Sequence, residues 1–134
     1  ETLPLHGSGR ILVMDDEAVI RSILEAALTK LGYTSVCVGD GQAALDAYQK
    51  AMRDEDPFDA VILDITVPGG MGGEEAIGLL KGMDPDVKGI VSSGYATGGA
   101  MSMPELLGFC GVIAKPYSIQ QLSVVLHNAL NPDE

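Results

Sequence analysis

Four groups of polar residues in this sequence each come directly after a short apolar run. They are Asp15-Asp16-Glu17, Asp64, Ser93-Gly94 and Lys115-Pro116. Taken singly, each has a structural explanation: acids suit a helix N-terminus, Asp64 and Ser93 suit turns, and Lys115 suits a solvated strand end. Their joint occurrence after four apolar runs indicates one cluster of carboxylates, a hydroxyl and an ammonium.

This set of side chains suits Mg²⁺ binding and reaction with a phosphoryl group. Clustered carboxylates raise one another's pKa unless a cation lies among them, and oxygen ligands without His or Cys favour Mg²⁺. A metal-bound carboxylate can act as a nucleophile toward phosphorus. The Lys115 ammonium and the Ser93 hydroxyl could then share the charge of the phosphoryl oxygens.

The apolar runs before these groups are typical of buried strands, and they alternate with helical patterns. Strands are predicted at 11–14, 33–38, 60–63, 89–92 and 112–114, and helices at 20–31, 44–52, 74–83, 98–108 and 122–129. Gly32 predicts the end of the first helix, and Asp40 predicts the start of the second. Ser118 and Gln121 form a capping-box pair for the last helix, whereas glycines and Pro104 weaken the fourth.

Five strand–helix repeats with strands that are apolar throughout predict an α/β fold, a doubly wound five-stranded parallel sheet flanked by five helices. Ligand sites in such folds lie beyond the carboxyl ends of the strands, at the topological switch point. The four polar groups follow those ends. We expect a linker or N-terminal tail at 1–9, the domain at 10–131, and a C-terminal tail at 132–134.

Composition narrows the class of protein. The chain has 134 residues, 46% of them apolar, a net charge of −11 and a pI near 4.3. This size suits one domain, and the acidic balance disfavours nucleic acid or an anionic membrane as a partner of this chain. No apolar stretch approaches the length of a membrane span. Cys37 and Cys110 are expected to be buried free thiols in a reducing cytoplasm.

The motifs at the strand ends resemble those of the receiver domain of two-component response regulators, over residues 10–131. The matching segments are Ile11-Leu12-Val13-Met14-Asp15-Asp16-Glu17, Val61-Ile62-Leu63-Asp64-Ile65-Thr66-Val67-Pro68, Ser92-Ser93-Gly94-Tyr95 and Ala114-Lys115-Pro116-Tyr117. The resemblance implies the flavodoxin-like strand order 2-1-3-4-5. It also implies phosphorelay signal transduction, in which a histidine kinase or a histidine phosphotransfer domain donates the phosphoryl group.

The resemblance assigns roles to the acidic residues. Asp64 aligns with the phosphoacceptor, which takes a phosphoryl group from a phosphohistidine and becomes an aspartyl phosphate. Asp16 and Asp64 would bind Mg²⁺ directly, together with the backbone carbonyl of Thr66, and Asp15 would act through water.

The resemblance also assigns the remaining site residues. Lys115 would pair with the phosphoryl oxygens, Ser93 would move to hydrogen-bond them, and Pro116 is the expected cis-proline. The family often has an aromatic switch residue three places before the lysine, where this chain has Val112. Tyr95 is the alternative switch residue, and we expect displacement of the loop and the weak fourth helix to carry the signal.

The Gly-rich segment Pro68-Gly69-Gly70-Met71-Gly72-Gly73 looks like that of C-terminal receivers of hybrid sensor histidine kinases. A free-standing single-domain regulator and a non-phosphorylated interaction module are the alternatives.

Whether to class the chain as an enzyme stays open, because a receiver assists its own phosphorylation while a hybrid parent would be the phosphotransferase. The domain is expected in the cytoplasm, with a parent that could be membrane-anchored. The oligomeric state is left open.

Overall fold

One parallel sheet of five strands forms the centre of the molecule, in a computed structural model that describes residues 5–94, 108–115 and 118–132. The strands are β1 (Gly9–Met14), β2 (Tyr33–Val38), β3 (Ala60–Asp64), β4 (Gly89–Ser93) and β5 (Gly111–Ala114). Their order in the sheet is β2-β1-β3-β4-β5, which confirms the predicted fold and order. The helices described are α1 (Ala18–Leu31), α2 (Gly41–Arg53), α3 (Gly73–Met83) and α4 (Ile119–Leu130). The helix predicted at 98–108 lies, except for Gly108, outside the described residues.

The central strands β1, β3 and β4 are largely buried because helices cover both faces of the sheet, whereas the edge strands β2 and β5 are partly exposed. Leu12 and Met14 pack with α2 and α3 on one face. Ile11 and Val13 pack with α1 and α4 on the other face. Each fully buried Leu or Ile contributes about 1.5–3 kcal/mol of hydrophobic stabilisation, so the two cores hold the strand ends, and the polar groups that follow them, in fixed positions.

The predicted helix boundaries are confirmed at three caps. Gly32 ends α1 in the left-handed conformation, with φ of 106°. The Asp40 side chain accepts a hydrogen bond from the Ala43 N–H at the start of α2. Ser118 and Gln121 form the capping box of α4. These caps satisfy backbone groups that a helix end leaves without partners.

The two cysteines correct one expectation from the sequence. Cys37 and Cys110 are both free thiols, but Cys37 is half-buried and Cys110 is exposed, so the expectation that both are buried was wrong. Phe109, next to Cys110, takes the buried position instead.

Gly7 in the predicted N-terminal linker donates its N–H to the Leu31 carbonyl at 2.9 Å. Within the described part of the chain, none of the helices combines the length and apolar character that a membrane span requires.

Candidate functional site

The strand ends bring the four polar groups to one edge of the sheet. Asp64 is the last residue of β3 and pairs with Ser92, and Ser93 is the last residue of β4 and pairs with Ala114. Met14 pairs with Leu63, which places Asp15 beside the end of β3. The chain leaves β1 toward β2 and returns on the other side as β3, so this edge contains the topological switch point.

Asp15 is fixed by a set of local hydrogen bonds. Only 1% of its surface is exposed. Its Oδ1 accepts the Glu17 N–H at 2.9 Å, and its backbone N–H donates to the Val38 carbonyl at 3.1 Å. The Arg21 guanidinium donates to its carbonyl at 2.7 Å. Asp15 therefore lies rigidly beneath the loop, while Asp16 and Glu17 are exposed at the surface.

Lys115 joins the two acidic strand ends. Its Nζ lies 2.7 Å from Asp15 Oδ2 and 3.5 Å from Asp64 Oδ2. Its backbone N–H donates to the Ser93 carbonyl at 2.7 Å, which ties the loop after β5 to the end of β4. The ammonium of Lys115 therefore contacts two buried carboxylates, while its backbone is hydrogen-bonded to the end of β4.

Asp64 is a buried carboxyl group with an altered proton affinity. Only 5% of its surface is exposed, and its Oδ1 accepts the Thr66 N–H at 3.3 Å. Burial is the largest cause that raises the pKa of Asp64 to about 6, against the lowering effects of Lys115 and the Thr66 N–H, with Asp15 and Asp16 adding to the rise. The group is therefore mainly ionised at neutral pH, where an added cation would stabilise it.

A cavity of about 420 Å³ opens over these groups. Its lining includes three acids, Asp16, Glu17 and Asp64, and one ammonium, Lys115. Carboxylate oxygens of Asp15, Asp16 and Glu17 lie within 4.8 Å of one another. Oxygen donors with excess negative charge and no His or Cys among them fit Mg²⁺, and the volume leaves room for the waters that this ion keeps.

The family model described as "Response regulator receiver domain" matches residues 11–127. The chain belongs to this family. Sporulation initiation phosphotransferase F of Bacillus subtilis (strain 168) is 32% identical over 113 residues, which cover 84% of this chain and 86% of that protein. Sensor kinase CckA of Brucella abortus (strain 2308) is 30% identical over 131 residues, 97% of this chain. The receiver domain here spans only 13% of that kinase.

A solved structure agrees with the fold of this receiver domain. The receiver domain of a sensor histidine kinase from Pseudomonas aeruginosa PAO1 superposes with a TM-score of 0.77 at 25% identity. The match covers 93% of this chain and 99% of that one, and that structure has a magnesium ion coordinated in its active site cleft.

The structure brings together most of the site residues that the sequence predicted. Asp16, Asp64, Thr66, Ser93 and Lys115 all line the cavity of the receiver domain. Asp15 lies beneath it, in contact with the Lys115 ammonium.

The predicted switch residues are placed less completely. Val112 is 36% exposed on β5 and is not in the cavity lining. Tyr95 and Pro116 lie outside the described residues.

Sequence reasoning missed an apolar surface next to the cavity. Val19 and Ile23 on α1 are 69% and 58% exposed. They lie one turn apart on the helix that begins directly after the acidic loop. Leu24, Leu28 and Leu31 form the buried stripe of α1. The signal that could have revealed the second face is the pair of large apolar residues beside that stripe.

Proposed function

We propose that this receiver domain accepts a phosphoryl group on Asp64 from a phosphohistidine of a histidine kinase or histidine phosphotransfer domain. The observation that carries this proposal is the contact of Lys115 with both Asp15 and Asp64 at the base of an acidic cavity. In the reaction an Oδ atom of Asp64 forms the new bond to phosphorus. The bond from phosphorus to the donor histidine nitrogen breaks, and its electron pair stays with the imidazole.

Mg²⁺ is the cation we assign to the site, held directly by Asp16, Asp64 and the backbone carbonyl of Thr66, with Asp15 acting through water. When bound, it would supply positive charge to the carboxylates and to the phosphoryl oxygens. The oxygen-only donor set and the excess of acids in the cavity support this assignment.

Lys115 and Ser93 are proposed to stabilise the phosphoryl group. The Lys115 ammonium lies 3.5 Å from Asp64 Oδ2, so it is close to the oxygens of any group transferred there. Ser93 is 3% exposed and lines the same cavity. We expect its hydroxyl to donate a hydrogen bond to a phosphoryl oxygen once Asp64 is phosphorylated. In this way the domain assists its own phosphorylation.

The exposed face formed by Val19 and Ile23 supports the proposed kind of partner. A donor histidine must reach Asp64 through the mouth of the cavity, so its protein must cover the surface around that mouth. Exposed apolar side chains are a favourable contact for such a partner. The donor is thus proposed to pack an apolar surface against α1 while its phosphohistidine enters the cavity.

Relatives of this chain include both a short phosphotransferase and a long sensor kinase. We propose the C-terminal receiver of a hybrid kinase as the parent context, because the match to CckA extends over 97% of this chain. We also propose a cytoplasmic location, which the two free thiols support. The full reading frame tests the parent: a histidine kinase core encoded upstream would support it, and a reading frame with this domain alone would refute it.

Phosphotransfer from a labelled donor tests the proposed function. A histidine phosphotransfer domain carrying radiolabelled phosphohistidine is mixed with wild type, Asp64→Asn or Asp46→Asn, with MgCl₂ or with EDTA. Asp46 is an exposed aspartate on α2 and serves as the matched control. We expect label on wild type and on Asp46→Asn only with Mg²⁺, and none on Asp64→Asn. Equal labelling of Asp64→Asn would refute the assignment.

A further inference from the structure

The junction between β2 and α2, residues 38–41, contributes no residue to the cavity lining, but it contacts two of the loops that line the cavity. On one side, the Val38 carbonyl accepts the Asp15 N–H at 3.1 Å. On the other side, the Gly41 N–H donates to the Met71 carbonyl at 2.8 Å. The junction therefore bridges the loop after β1, which carries Asp16 and Glu17, and the loop after β3, which begins directly after Asp64 and carries Thr66.

The side chain of Met71 lies directly on Gly41. A Cβ atom added to Gly41 would lie 2.6 Å from Met71 Cγ, 2.8 Å from its Sδ and 2.9 Å from its Cβ. All three distances are too short for real carbon contacts. Met71 is half-buried and packs against the core between the sheet and α2 and α3. Any side chain at position 41 would have to displace Met71.

This contact explains why α2 begins with glycine. Ala is better than Gly in a helix by about 1 kcal/mol, and Gly41 does not have the positive φ that would require glycine. The N–H groups in the first turn of a helix lack partners within the helix. The carbonyl of Met71 satisfies the one at Gly41, so the loop and the helix start fit each other through both the backbone and the side chain.

The end of this loop and the start of α3 also lie close to the backbone at the end of β3. A Cβ added to Gly72 would lie 2.6 Å from the Ile65 carbonyl oxygen, and one added to Gly73 would lie 2.7 Å from the Asp64 carbonyl oxygen. The loop therefore follows the backbone of the strand end closely. Thr66 and Pro68, which line the cavity, lie between Ile65 and Met71 in the sequence.

We propose that the Gly41–Met71 contact is a positioning contact for the cation site. It fixes the loop after β3 against α2 and thereby sets the distance between Thr66 on that loop and Asp16 on the loop after β1. Gly41 and Met71 themselves do not line the cavity. This inference rests on the proposed function, because it concerns the Mg²⁺ site assigned above.

Mg²⁺ affinity of designed variants tests the proposal. Wild type, Gly41→Ala, Met71→Ala and the double variant are titrated with MgCl₂ while backbone amide NMR spectra report both affinity and fold, well below the unfolding temperature. Gly78→Ala is the matched control, since a Cβ added at Gly78 meets nothing within 4 Å. We expect Gly41→Ala to weaken Mg²⁺ binding by about tenfold, as loss of an outer-shell partner does. Gly78→Ala should bind like wild type.

The double variant separates this contact from a general effect on α2. Met71→Ala removes Cγ and Sδ and leaves only Cβ, 2.9 Å from the Cβ added at position 41. Most of the clash is then gone, so the double variant should bind Mg²⁺ more tightly than the product of the two single effects predicts. Met71→Ala itself should weaken binding by about threefold, and it keeps the test open if Gly41→Ala does not fold. Wild-type affinity in Gly41→Ala or in Met71→Ala, or effects that multiply in the double variant, would overturn the proposal. A wild type without any Mg²⁺ response would refute the proposed function itself.

Discussion

Replacing Asp64 with Asn should make the metal-free protein more stable at alkaline pH, although it removes the residue on which the proposed reaction depends. The side chain is buried and its pKa is raised from 3.8 to about 6, chiefly by that burial. Since the ionised form is disfavoured in the folded state, ionisation opposes folding. Asn keeps a similar shape and never ionises, so it removes this penalty.

The size and pH window of the effect follow from the pKa difference between the folded and unfolded states. The pKa of Asp64 is raised from its usual value of 3.8 to about 6 in the folded protein. At about 1.4 kcal/mol per pKa unit, this difference makes folding less favourable by about 3 kcal/mol at pH 8. It is fully present above pH 6, declines as pH falls from 6 toward 3.8, and is absent below that range. We expect a gain of about 2 kcal/mol at pH 8, because an amide cannot match every hydrogen bond of the carboxyl group.

Urea unfolding in EDTA at pH 8, 6 and 4 measures this difference. The chain contains no Trp, so circular dichroism is the suitable signal. Asp46→Asn controls for the loss of one negative charge at an exposed site and should match wild type. Adding 10 mM Mg²⁺ should narrow the gap by about 1.4 kcal/mol if the ion binds wild type with a millimolar constant. The reasoning is refuted if Asp64→Asn is less stable than wild type at pH 8, or if the difference does not change with pH.

Four further predictions follow from single residues. Asp16→Asn should weaken Mg²⁺ binding at least tenfold in an NMR titration, since a neutral amide replaces a charged ligand; an unchanged affinity would remove Asp16 from the site. Lys115→Ala should slow phosphorylation by acetyl phosphate at saturating Mg²⁺ at least tenfold without weakening Mg²⁺ binding, with Lys50→Ala as the control; parallel losses of both would contradict the assigned role. Ser93→Ala should reduce the change in amide exchange across residues 94–108 on beryllofluoride addition; an equal change would refute the switch. Glu55, which follows α2, has a left-handed backbone conformation with φ of 58°, which glycine adopts without strain. Glu55→Gly should therefore stabilise the protein by about 1 kcal/mol in thermal unfolding, whereas a similar gain with Glu55→Ala would contradict this explanation.

The fold was predictable from the sequence because the strong signals are local. The central strands contain apolar runs, and β3 and β4 are buried along their whole length, as is β1 from Ile11 to Met14. The caps at Gly32, Asp40 and Ser118 depend on residues within one or two turns, so their chemistry is visible in the sequence. The parallel topology then places every strand end, and the residue after it, at one edge of the sheet.

The contacts within the site were less predictable because they join distant parts of the chain. Lys115 and Asp15 are 100 residues apart and meet at 2.7 Å. The sequence also gives no sign that Asp15 is buried while its neighbour Asp16 is exposed, since that depends on the turn of the loop after β1. The Gly41–Met71 contact was hidden for the same reason, because glycine at a helix start has several explanations until the neighbouring loop is seen.

The most direct test of the account is to locate the phosphoryl group on the chain. The domain is phosphorylated with acetyl phosphate and Mg²⁺, reduced with borohydride, which converts an aspartyl phosphate to homoserine, and digested for peptide mapping by mass spectrometry. We predict homoserine at position 64 alone, and none when Mg²⁺ is replaced by EDTA. Homoserine at another aspartate, or no conversion at Asp64 in protein shown to be folded, would contradict the account.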